Sequence, residues 1–153
     1  MRIPSHVRPR AYAGVELLLD VVYIAQSIVG LDLESTLICY CVAEATARPL
    51  IAAAQTEPDL LLLAAPPEEK RGSISRLAIA DRTGLPRETV RRRVKALVEK
   101  GWLIEDDKGR LKAPPNLKDE TTQRAADDTF AAVRRYNKRL RSLGVDGVND
   151  TDK

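Results

Sequence analysis

Apolar positions along this chain fall mostly at helical spacing, with one short stretch near residue 100 spaced as strands are. In Tyr12–Val29, residues Val15, Leu18, Val22, Ala25 and Val29 make one stripe, and Leu17, Val21, Ile24 and Ile28 make a second. The spacing predicts one long helix ending at Gly30. A helix with two apolar stripes must be covered on both sides, by its own chain or by a second subunit. Leu31–Arg48 predicts a further helix, N-capped by Asp32 and broken or kinked at Pro49. Its inward positions are expected to be Leu33, Leu37, Tyr40, Cys41 and Ala45.

Residues 50–72 are less periodic. Leu50–Ala54 can continue a helix, Pro58 can start a short one, and Pro66–Arg71 reads as a surface loop. A connection this long often has a purpose. Capping a small-molecule effector pocket is one, although no convergent polar constellation supports it.

The stretch Ser73–Lys112 is better defined. Gly72–Ile74 reads as a short strand, and Ser75 can N-cap a helix over Arg76–Arg82. Ala80 lies four residues before Gly84, a small residue where two helices cross closely and a glycine where the turn needs positive φ. Pro86 opens the next helix near its first position, where a missing N–H costs nothing. From there to Lys100, Val90, Val94, Leu97 and Val98 share an arc of about 100°. Opposite it lie Glu88, Arg92 and Lys95, with Arg91 and Arg93 on the two flanks and Thr89 adding a hydroxyl there. Gly101 closes the helix. Trp102–Ile104, the turn Asp106–Gly109 and Arg110–Lys112 then predict a β-hairpin.

Charge sharpens this picture. The chain of 153 residues has a net charge of +3, yet residues 71–112 alone hold 12 Lys/Arg against 6 Asp/Glu. A local cationic surplus points to a polyanionic partner. Exposed helix faces usually mix signs to gain i,i+4 pairs, and this one holds only Glu88 and Glu99 against its cations. Arginine can read guanine O6/N7 and glutamate can accept from cytosine N4. First-turn amides and the hydroxyls of Ser73, Ser75 and Thr89 can hold phosphates. Lys108 and Arg110 at the hairpin tip can lie along the backbone, opposed there by Asp106 and Asp107.

Other chemistry is thin. Cys39 and Cys41 diverge by roughly 200° on a helix and read as small buried hydrophobes. His6 lacks partners for a metal. With no His/Cys/carboxylate cluster, phosphate loop or nucleophile–base pair, neither a catalytic role nor a cofactor is expected. Val15–Leu31 is interrupted by Glu16, Asp20 and Gln26, which argues against a spanning helix or signal peptide and for a cytoplasmic protein.

Residues 74–112, about a quarter of the chain, resemble the winged helix-turn-helix of bacterial transcriptional regulators, especially the MarR-like group, with Ile79–Leu103, IADRTGLPRETVRRRVKALVEKGWL, following its pattern. The resemblance implies DNA contacts from Arg87, Glu88, Thr89, Arg91, Arg92 and Lys95, and from Lys108 and Arg110 on the wing. Two departures stand out: Arg93 occupies a position more often aliphatic or His, and the 50–72 connection is long for that group.

Beyond Pro114–Pro115, Asn116 or Asp119 opens a helix to about Leu143, closed by Gly144, with Ala126, Phe130, Val133, Tyr136 and Leu140 as a narrow stripe. Such a thin seam usually pairs with another helix. The expected fold is mainly α with a small β-hairpin wing, a winged helix-turn-helix flanked by N- and C-terminal dimerisation helices. Residues 1–30 form the first of these, 31–113 the DNA-binding domain, 114–144 the second, and 145–153 a disordered tail. The expected function is a sequence-specific transcriptional regulator binding double-stranded DNA as a homodimer. A replication or partition protein and a protein-interaction winged helix are the alternatives.

Overall fold

The structure, a computed structural model, describes residues 1–115 and 117–145. They form two compact units, one of residues 31–118 and one joining 1–30 to the segment from 119 onward.

In the first unit, α2 (Leu33–Ala53) is central. Asp32 caps it by accepting from the Ser35 amide at 3.0 Å. The helix runs through Pro49 and ends at Ala53, four residues beyond the expected break. The inward face also differs. Cys41 and Ala45 are buried, but Leu33, Leu37 and Tyr40 are 52%, 42% and 43% exposed, and Ser35, Thr36, Ile38, Val42 and Thr46 are inside instead. Both stripes are apolar enough to bury. The one chosen carries hydroxyls that satisfy themselves locally, Thr36 on the Asp32 carbonyl at 2.9 Å and Thr46 on that of Val42 at 2.8 Å. By length and composition α2 could also cross a membrane. In this unit it is the helix on which the core is built, and its Glu34 and Glu44 are ion-paired.

Short 3₁₀ turns at Pro58–Leu62 and Glu68–Lys70 carry the long connection back to the core. Then come α3 (Arg76–Thr83), α4 (Arg87–Glu99) and a hairpin of β1 (Ile104–Glu105) and β2 (Leu111–Lys112). Ile104 pairs with Lys112 and Glu105 with Leu111, and Ile74 bridges Leu111 on the other side. Trp102 precedes the strand as a bend, because the amides of Trp102 and Leu103 both turn back to the Leu97 carbonyl. Ile38, Val42, Ile79, Val90, Val94, Leu97, Leu103 and Leu111 make one core, so α4 buries the stripe its spacing predicted.

The second unit is an antiparallel pair of long helices, α1 (Val7–Val29) and α5 (Glu120–Ser142). α1 begins five residues before Tyr12. Pro9 is tolerated because first-turn amides have no intrahelical acceptor. Asp119 caps α5 through the Thr122 amide; the other expected cap, Asn116, lies outside the described residues, as does the expected tail beyond Val145. Glu16 pairs with Arg139 at 3.1 Å and Asp20 with Arg135 at 3.3 Å, four residues on along α1 matching four back along α5. Ala13, Ile24, Ala25, Ala132 and Leu140 fill the seam. Of the stripe expected on α5, Leu140 is buried and Tyr136 half-buried, whereas Ala126, Val133 and Phe130 are exposed. Alanines on both helices let the backbones approach closely, which draws Ala132 inward and leaves Phe130 outside.

Candidate nucleic-acid interface

The helix-turn-helix is built by local chemistry. Ser75 accepts from the Ala78 amide at 3.1 Å and starts α3. Gly84 ends it at φ +72°, its amide bonded to the Ala80 carbonyl at 2.9 Å. Thr83 donates to the Ile79 carbonyl at 2.7 Å and accepts from the Leu85 amide at 3.3 Å, bracing the turn. Pro86 sits at the N-cap of α4 rather than at its first helical position.

On α4, Arg87, Glu88, Arg91, Arg92 and Lys95 are exposed and Thr89 is half-buried. The cations are not equivalent. Arg91 is held bidentately by Glu88 one turn back, at 2.6 and 2.9 Å, and this pair keeps the Glu88 carboxyl below the usual carboxylate range. Arg93 leaves the face entirely: it donates to Asp32 at 2.8 Å and Glu34 at 2.9 Å, with its side chain 31% exposed. Among the described residues Arg87, Arg92 and Lys95 have no ion pair. The helix thus compensates more charge than its own sequence indicated, because the acids for Arg93 come from the start of α2.

The wing is tied down at three points. Arg76, the first residue of α3, grips Glu105 bidentately at 3.1 Å and also donates to the Gly109 carbonyl. Arg110 donates to the Ser73 hydroxyl at 2.8 Å and to the Ser73 carbonyl at 2.9 Å, so these two expected phosphate ligands hold one another. Asp106 accepts from the amides of Lys108 and Arg110, both at 2.9 Å, and those bonds lower its pKa. It builds the turn rather than repelling a polyanion. Among the described residues, Asp107 is the one acid at the tip with no partner, beside an exposed Lys108.

Ser73, Ser75, Arg110 and Lys108 are brought to the wing side, and Arg87 to Lys95 to the face of α4. A serine hydroxyl that accepts one bond still has a proton to donate to phosphate. Arg76 was missed by sequence reasoning, since its partners lie 29 and 33 residues away. Asp106 was misread as an opposing charge, although an acid two residues before an exposed turn amide is the pattern of an Asx turn.

Elsewhere in this unit, Ala47, Leu50, Pro66 and Pro114 line an apolar groove of about 210 Å³. Its charged neighbour Arg71 is turned to Glu68 and to the Ala113 carbonyl.

A three-helix core with a turn glycine, a cationic second helix and a pinned hairpin defines a winged helix-turn-helix. In agreement, residues 69–104 match the winged helix-turn-helix DNA-binding family. No curated protein and no solved structure gives a match.

Proposed function

We propose that the chain is a sequence-specific DNA-binding transcriptional regulator that acts as a homodimer. The observation that carries the reading is the α4 face, where Arg87, Arg92 and Lys95 stand exposed and, among the described residues, without an ion pair, beside an oriented Arg91, on a module matching a DNA-binding family. The MarR-like pattern of residues 79–103 supports regulation as its use. The dimer is supported by α1, whose Val15, Leu18, Leu19 and Tyr23 stay exposed on the side away from its buried seam. Two recognition helices would then enter successive major grooves about one helical turn apart on a pseudo-palindromic site. It is a binding protein, with no catalytic step assigned.

The test is a mobility shift on sequences selected from a random library. With about five phosphate contacts, log K falls with log[salt] at a slope of roughly −4 to −5. Changing Arg91, Arg92 and Lys95 to Ala abolishes selection of the preferred site. Unchanged affinity would remove the recognition-helix assignment.

A further inference from the structure

We propose that α5 docks antiparallel against α5 of a second copy, about a two-fold axis passing between Phe130 and Ala131. This rests on the homodimer reading above and names its contact surface. Glu120, Asp127, Arg134 and Arg141 recur every seven residues and so lie on one line along the helix, two acids followed by two bases. All four are exposed, and among the described residues none has an ion pair within the chain. Arg135 and Arg139, by contrast, lie on another face and are taken up by Asp20 and Glu16 of α1.

Reversing the helix about the Phe130–Ala131 midpoint sets Glu120 opposite Arg141 of the second copy and Asp127 opposite Arg134. Each of these four charges then meets its opposite, and by symmetry each pairing occurs twice. At the axis Phe130, 66% exposed, meets Ala131 of the other copy, a large residue against a small one. Helix-dipole complementarity accounts for acids in a first turn and bases in a last turn, and it fades within one turn of each end. Asp127 and Arg134 sit near the middle. Within one copy the basic half is also unfavourable, since Arg134, Lys138 and Arg141 are like charges at i,i+4 and i,i+3 spacing. A second copy relieves that repulsion.

Sedimentation of the full chain and its charge variants tests this. The D127R and R134E variants each turn two attractive contacts into repulsive ones, and each weakens dimerisation by on the order of tenfold or more. The D127R/R134E double variant restores the pairing with polarity exchanged, and its dimer returns to near wild-type strength. D127R mixed with R134E forms a heterodimer, because every facing pair is then of opposite sign. If wild type is dimeric and both single variants dimerise unchanged, or the double variant fails to recover, the α5 pairing is wrong and the dimer reading survives. A monomeric wild type at micromolar concentration overturns both.

Discussion

Arg93, in the middle of the recognition helix, donates at 2.8 Å to Asp32, the residue that caps α2, 61 positions earlier in the chain. A second fork of the same guanidinium reaches Glu34 at 2.9 Å. The exposed face of α4 proposed for DNA is therefore braced by an arginine whose own charge is turned toward the start of α2. Because the pairs are partly exposed, each contributes modestly. Arg93→Ala is expected to lower stability by about 1–2 kcal/mol, chiefly through two lost contacts and a stranded acidic pair. It should also weaken DNA binding without altering which sequence is preferred. Urea denaturation and library selection check the two parts separately; a changed preferred site would mean that Arg93 reads bases.

The same pair sets a pH dependence. The Ser35 amide, the Ser35 hydroxyl and the Arg93 guanidinium hold the Asp32 carboxyl below its ordinary value of 3.8. A group depressed in the folded state binds its proton more readily when unfolded, so its stabilisation is present above pH 3.8 and is lost as pH falls through the lower folded value. Asp32→Asn keeps a capping side chain and removes this titration. The stability advantage of wild type over Asp32→Asn should be constant near neutral pH and shrink below about pH 4. Urea midpoints measured from pH 6 to 3 decide it, and a difference that does not change with pH would rule out Asp32.

Glu88 has two opposed effects on the interface. Its charge repels phosphate, while its bidentate grip fixes the orientation of Arg91. If Arg91 reads a base as proposed, Glu88→Ala should strengthen binding to arbitrary duplex and weaken discrimination at that base pair by about 1–3 kcal/mol. Titrations on a selected site and on a scrambled one give both numbers. A parallel gain on the two sequences would show that Glu88 acts through charge alone.

How much of this was legible follows from the range of each interaction. The turn at Gly84, the Ser75 and Asp32 caps and the core stripe of α4 depend on neighbours within one or two turns, and spacing reveals them. The inward face of α2 was misread because large apolar residues were favoured over Thr36 and Thr46, whose hydroxyls close on their own helix. The seam of α5 was misread for a related reason: close helix approach selects Ala132 over Phe130. The wing looked weak because Asp106 and Asp107 were counted as opposing charges, when Asp106 is a turn acceptor. Contacts spanning 29 to 61 residues leave no trace in local periodicity.

Thr46 and Gly72 fix the attachment of the wing to α2. The Gly72 amide donates to the Thr46 carbonyl at 2.9 Å, and the Thr46 hydroxyl accepts from the Ala113 amide at 2.9 Å while donating to Val42. The strands entering and leaving the wing thus meet at one buried threonine. A Cβ on Gly72 would drive into the Ala45 carbonyl oxygen, with the Pro49 ring 3.1 Å away. Neither obstacle is a flexible side chain end, so the backbone must move. Gly72→Ala is expected to cost about 2 kcal/mol or more. Thr46→Val keeps the shape and strands the Ala113 amide, costing about 1–3 kcal/mol. Both should loosen the wing before the helices: hydrogen exchange at Ile74 and Leu111 should accelerate more than exchange in the middle of α4. Equal acceleration in the two places would mean that the wing and helices open as one unit, and that Thr46 and Gly72 are ordinary core positions.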